Sequence, residues 1–283
     1  KALVCSYDGN EYELNAQKYI LALGGLENNR QLLLTNKFNN SILDKEKKLI
    51  GRFWTDHLSF EIGHAFVTND LLEFNSEGWC AISFTDDFIN ENNFTNAQFH
   101  FSKIYDDKYK KKELKSFKKN TNRKTYKYYS DEEKFSLVKV ACKWEQIPTI
   151  NNKIVLSDEL DNFGLNKIHL DWRLSKQDFQ NLIDLTYKLN EIFINKNFGR
   201  FRLSENLLTN NFDDNHIYAC YHHIGGTRMS DDHRTGIVDK NGKVHQLNNL
   251  FIVGSSIFPS CGFANPTLSI VQTSLRTALT LMS

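Results

Sequence analysis

Three observations in the sequence predict a mixed α/β (α+β) fold built from two regions. An apolar run, KYILALG over 18–24, ends in a glycine pair and passes straight into a helical pattern. A long middle stretch alternates apolar and polar residues in several short segments, as antiparallel strands do. The end of the chain returns to the first arrangement, with a strand, a glycine turn and an amphipathic helix in order. A length of 283 residues leaves room for two moderate domains, each with its own core.

Residues 2–6 (ALVCS) and 18–24 read as strands joined through the turn Asp8-Gly9-Asn10. The second strand ends in Gly24-Gly25, and Leu26-Glu27-Asn28-Asn29-Arg30 then leads to Leu32-Leu33-Leu34 on a helix. Strand, glycine pair and helix in that order bring backbone close to a phosphate or nucleotide. Next comes IGRFWTDHLS, residues 50–59, in which the single His57 reads as a structural histidine.

From Phe60 to about Ser204 the chain becomes aromatic and β-rich. Alternation is visible in FEIGHAFVT (60–68), FSLVKVACKWEQ (135–146), KIVL (153–156) and KIHLDW (167–172). Ser175 to Asp178 open a helix in capping-box style, with Phe179, Leu182, Ile183, Leu189, Ile192 and Phe193 on one face. That helix is expected to stop near Gly199. Between Lys108 and Lys127 stand ten basic residues against one acidic residue. Such a run can bind phosphate backbones, but it reads here as a mobile surface insertion over the mouth of the site.

In the last stretch, Leu250 to Val253 form an apolar strand that runs into Gly254-Ser255-Ser256. Asn265 is a good N-cap and Pro266 suits the first helical position. Leu268, Val271, Leu275, Ala278, Leu279 and Met282 then recur at helical spacing, which predicts one apolar face packed inward. The free N–H groups at this helix start, over Asn265–Leu268, suit a group that becomes negative.

The net charge is +1 and 24% of residues are charged, so no global field argues for nucleic acid or for a membrane surface. No apolar run approaches the length of a membrane span. Five scattered cysteines without a C-x-x-C pair argue against a disulfide framework and against a metal site, and favour a reducing, cytoplasmic setting. The chain starts at Lys1 inside a strand-like pattern, so it reads as a fragment with its natural start upstream.

The segments LALGGLENNRQLLL, IGRFWTDHLS, YHHIGGTRMS and NNLFIVGSSIFPSCGFANPTLSIVQTSLRTALTLM, in this order, resemble the C-terminal half of the glucose-methanol-choline (GMC) family of FAD-dependent oxidoreductases. The resemblance implies part of an FAD-binding domain over 1–58 and 205–283, without the G-x-G-x-x-G turn of the family's N-terminal part. It implies a substrate-binding domain over 59–204. Gly24, Gly25, Gly254, Ser255, Asn265, Pro266 and Thr267 match cofactor-binding positions. His223, in His223-Ile224-Gly225-Gly226-Thr227, matches the H-x-x-G-T histidine that takes the hydroxyl proton, while the carbon-bound hydrogen leaves as hydride to flavin N5. Asn265 stands at the family's second catalytic position and would donate to the substrate oxygen.

The expected activity is FAD-dependent oxidation of an alcohol or sugar hydroxyl, with the electron acceptor left open. A lyase on the same flavoprotein fold and a truncated non-catalytic module are the alternatives.

Overall fold

A computed structural model describes residues 2–5, 10–39, 43, 49–131, 133–212, 217–245 and 247–282. Asp8 and Gly9 of the expected first turn lie outside the described residues. The chain divides into two compact units. One holds Lys1–Asp56, Pro148–Arg173 and Tyr221–Ser283, and the other holds His57–Ile147 and Leu174–Cys220.

The first unit begins with strands β1 (Ala2–Cys5) and β2 (Glu11–Leu14), which pair antiparallel. Strand β3 (Tyr19–Leu21) feeds helix α1 (Gly24–Phe38), and β4 (Arg52–Thr55) follows. The expected strand, glycine turn and helix are therefore present. Gly24 adopts φ 88°, a conformation in which a side chain is strained.

The second unit is built on strand β5 (His57–Thr68), followed by β6 (Trp79–Ser83), helix α2 (Asp86–Asn92) and β7 (Ala97–Lys103). Helices α3 (Asp107–Lys119) and α4 (Arg123–Tyr129) precede β8 (Phe135–Glu145). Chain order then returns to the first unit with β9 (Lys153–Leu160) and β10 (Asn166–Asp171). Helix α5 (Lys176–Asn195), β11 (Gly199–Leu203), α6 (Glu205–Leu208) and β12 (Ile217–Ala219) complete the second unit.

Its sheet runs β11-β5-β8-β7-β6, with β12 also on β5, and every pairing is antiparallel. Leu58, Phe60, Ile62, Phe99, Phe101, Val140 and Trp144 are fully buried in this unit. Helix α5 carries the expected capping box, in which Ser175 and Asp178 bond each other's backbone N–H. It docks through stacked Phe101 and Phe193 rings 5.9 Å apart and a 3.1 Å bond from Trp144 Nε1 to the Asp178 carbonyl.

The lysine-rich segment is two capped helices, α3 and α4, with Asp106 and Asn122 as their N-caps. Phe117 on α3 packs with Phe66, Phe135 and Leu137, flanked by Leu114, Tyr126 and Tyr129, while most of the lysines point to solvent. The aromatic residues interleaved with the lysines thus serve the core of this unit.

The first unit closes with β13 (Ile224–Gly226), β14 (Leu250–Ile252), a 3-10 turn over Ser255–Ile257 and helix α7 (Thr267–Met282). Here β10, β9, β4 and β13 form one antiparallel sheet, and β14 pairs parallel with β3. This pairing places Pro148–Arg173 in the first unit, although the sequence reads 59–204 as one run. Arg52 on β4 is the register partner of Lys153, and Arg30 on α1 bonds Asp161 Oδ2 at 2.5 Å and the Asn166 carbonyl at 2.8 Å.

Helix α7 corrects one expectation. Its apolar residues face outward among the described residues, with Leu268 69% exposed and Leu279 68% exposed. The side turned inward carries Ile270, Thr273, Ser274, Thr277 and Leu281. Thr277 is buried, and its hydroxyl donates a 2.8 Å bond to the Asn241 carbonyl. Periodicity located a stripe but could not say which side of the helix meets the chain. Among the described residues, no helix is long and apolar enough to cross a membrane.

Candidate active site

In the first unit, β13 lies between β4, the start of α1 and the turn after β14. His223 immediately precedes β13, and several backbone groups around it are bonded to neighbouring elements. The Ser255 hydroxyl donates a 2.6 Å bond to the His223 carbonyl. Asn29 Nδ2 donates to the Gly225 carbonyl at 3.1 Å, and the Gly51 amide donates to the Gly226 carbonyl at 2.8 Å. The Thr227 amide bonds the Ser256 carbonyl at 3.0 Å, and the two hydroxyls bond each other at 2.8 Å. These bonds fix the backbone from which the His223 side chain projects.

The His223 ring stands 5.8 Å from Trp54, and Trp54 meets Trp172 edge to face, also at 5.8 Å. Burial lowers the His223 pKa below the ordinary 6.5, so its imidazole is neutral at pH 7. Its Nδ1 is buried and makes no hydrogen bond among the described residues. A neutral imidazole carries one unprotonated ring nitrogen and can accept a proton there. The neighbouring His222 is held through its backbone, its amide bonding Asp56 Oδ1 at 3.2 Å.

Two non-glycine residues with positive φ flank this segment, Phe53 at 59° and Tyr221 at 58°. Such backbone costs of the order of 1–3 kcal/mol and concentrates at functional sites. Phe53 is partly compensated by the Arg228 guanidinium, 3.7 Å from its ring centre.

Four of the site's glycines divide by what surrounds them. A Cβ on Gly25 would stand 2.2 Å from the His223 carbonyl oxygen, and one on Gly226 would stand 2.2 Å from Asn29 Oδ1. Both are glycine because α1 and β13 touch there. Gly24 has nothing within 4 Å of its would-be Cβ, and Gly254, at φ 111°, has only Asn28 Nδ2 at 3.6 Å. These two turns expose backbone to open space, as an approaching phosphate or flavin requires.

Of the remaining candidates, Ser255 is buried and spends its hydroxyl on His223. Asn265 and Thr267 are exposed at the start of α7, and Pro266 is half-buried. The helix begins one residue later than the sequence suggests. The Pro266 carbonyl accepts from the Ile270 amide at 2.9 Å, so Pro266 takes the cap position expected of Asn265. In the second unit, His57 is fully buried and Glu145 accepts from Asn96 through both its amide groups, at 3.3 and 3.1 Å.

Sequence reasoning missed Asn28, Asn29 and Trp54. The available signal was a pair of asparagines, poor helix formers, in the first turns of a helix directly after a glycine pair.

Residues 148–273 match the family model described as GMC oxidoreductase. The chain is 27% identical over 131 residues to paromamine 6'-oxidase of Streptomyces fradiae, and 26% identical over 136 residues to 6'''-hydroxyparomomycin C oxidase of Streptomyces lividus. Those matches cover 46% and 48% of this chain and 23% of each relative.

Among solved structures, pyridoxine 4-oxidase from Mesorbium loti superposes with a TM-score of 0.55 at 14% identity, over 98% of this chain and 53% of that one. A formate oxidase of Aspergillus oryzae RIB40, for which FAD modification is described, gives 0.52 at 15% identity, over 98% of this chain and 56% of that one. The chain therefore spans about half the length of these structures, and they share its fold.

Proposed function

We propose, from the premise that this chain carries the C-terminal part of a GMC oxidoreductase, that the polypeptide oxidises a hydroxyl group of a sugar or sugar-like alcohol. His223 is the general base in this reading. The observation that carries it is the placement of the half-buried His223, its backbone carbonyl bonded by Ser255 and its ring packed 5.8 Å from Trp54, beside the open glycine turns. The two Streptomyces relatives, named as oxidases of paromamine and of a paromomycin, support a carbohydrate hydroxyl as the group attacked.

FAD is the cofactor this reading requires, and when bound it supplies the acceptor for the hydride leaving the substrate carbon. The open backbone at Gly24 and Gly254 fits such a group. His223 takes the hydroxyl proton as the carbon–hydrogen bond breaks. Asn265, exposed at the start of α7, donates from its amide to the substrate oxygen. Pro266 and Thr267 carry the helix start, whose free N–H groups favour negative charge nearby. In the domain roles expected for 1–58 and 205–283 (cofactor) and 59–204 (substrate surface), residues 148–173 go with the cofactor side, since they fold with that unit.

The test is rapid mixing of the complete, flavin-loaded polypeptide with a sugar substrate. His223→Ala should slow flavin reduction by roughly 10²–10⁴-fold while the flavin stays bound. An unchanged rate would remove His223 from the role of base.

A further inference from the structure

We infer that Asn28 is a positioning residue that sets the two open glycine turns of the site in register. Asn28 is fully buried, and its amide group is bonded at every point. Its Oδ1 accepts from the Leu23 amide at 2.9 Å. Its Nδ2 donates to the Val253 carbonyl at 2.9 Å and to Ser256 Oγ at 2.9 Å. Leu23 and Val253 are the residues directly before Gly24 and Gly254.

A single side chain thus ties together the two positive-φ turns whose Cβ sides are open. Through Ser256 Oγ and its 2.8 Å bond to Thr227 Oγ1, the same amide reaches the segment that carries His223. Two of its three bonds are donated, so they depend on the NH2 and not on the shape of the side chain. A ligand spanning both turns, such as the diphosphate and ribityl part of a dinucleotide, meets two backbone surfaces whose spacing Asn28 fixes. This inference rests on the reading that Gly24 and Gly254 face the cofactor.

Asn28→Asp separates donation from packing. The carboxylate keeps the volume and the bond from the Leu23 amide, but it sets an acceptor against the Val253 carbonyl. Burial and that opposing oxygen raise the new carboxyl's pKa, and on protonation it can donate to Val253 again. At neutral pH the dissociation constant for FAD of the complete polypeptide should rise roughly tenfold or more, because the bond to the Val253 carbonyl gives way to two opposed oxygens, while the Ser256 hydroxyl can turn to donate to the carboxylate. It should return towards the unsubstituted value as the pH falls, a recovery the unsubstituted protein does not show.

Amide hydrogen exchange over 253–257, read without FAD, should follow the same course. Thr227→Val cuts only the branch to His223, so it should lower kcat and leave FAD binding unchanged. Should Asn28→Asp fail to fold, Thr227→Val and Ser256→Ala carry the test, and equal FAD binding and kcat in all three proteins would overturn the inference. A loss in Asn28→Asp that acid does not reverse would assign Asn28 to packing alone. An unsubstituted protein that binds no FAD would contradict the proposed function, while the exchange readout would still decide the role of Asn28.

Discussion

The Ser255 hydroxyl donates a 2.6 Å hydrogen bond to the carbonyl oxygen of His223, joining the turn after β14 to the strand that presents the candidate base. Ser255, matched to a cofactor position by sequence, also commits its hydroxyl to the backbone of the proposed base. Ser255→Ala should cost about 1 kcal/mol of stability, the net worth of one such bond. It should lower kcat more than it raises KM for the substrate. Thermal unfolding and steady-state kinetics on the same preparation check both parts.

Gly24 and Gly25 are neighbours with different reasons to be glycine, and alanine should separate them. Gly25→Ala drives a methyl into the His223 carbonyl and should destabilise by about 1–3 kcal/mol, as overpacking does. Gly24→Ala meets no neighbour and pays for backbone strain at φ 88°, about 1 kcal/mol. Chemical denaturation of the two variants measures the difference, and equal losses would contradict the close contact at Gly25.

The lowered pKa of His223 fixes the sign of two pH effects. A base must be unprotonated, so kcat/KM should hold as the pH falls through 6.5 and decline only at the lower, folded-state pKa. Stability follows by linkage. In the unfolded chain the imidazole protonates near 6.5, whereas the folded site resists, so the contribution is full above 6.5 and is lost as the pH falls through the folded value. Burial lowers His64 and His100 in the second unit as well, which adds to the acid sensitivity in the same direction. A kcat/KM profile whose acid limb lies at or above 6.5 would contradict this environment for His223.

Phe117 anchors the lysine-rich helices, its ring 4.8 Å from Phe66. Phe117→Ala should cost about 3–5 kcal/mol and open the 107–129 region to proteolysis before the rest of the second unit. Substituting exposed Lys111 or Lys119 should change stability by less than about 0.5 kcal/mol. Limited proteolysis followed by mass spectrometry reads both.

Much of this arrangement was legible in the residues. Ser175 and Asp178 announce the start of α5 because a capping box is local chemistry, decided within four residues. The strand from Tyr19 and the glycine turn after it are legible for the same reason. The outward face of α7 was not legible. The spacing of Leu268, Val271, Leu275 and Leu279 marks a stripe, but only tertiary contacts show that Thr277 is the side turned in. Asn28 was equally hidden, since its three bonds reach residues that are close in the chain on one side and far away on the other. His223 is singled out by its neighbours in sequence, while the bonds that Ser255 and Asn29 make to the backbone around it come from distant parts of the chain.

The most direct test of the central claim is an absorption spectrum of the complete polypeptide, taken before and after anaerobic addition of a panel of sugars and alcohols. The account predicts a bound flavin band that bleaches with a sugar or sugar-like alcohol, and that persists in His223→Ala. A complete polypeptide that carries no flavin, or whose flavin bleaches equally fast without His223, would contradict it.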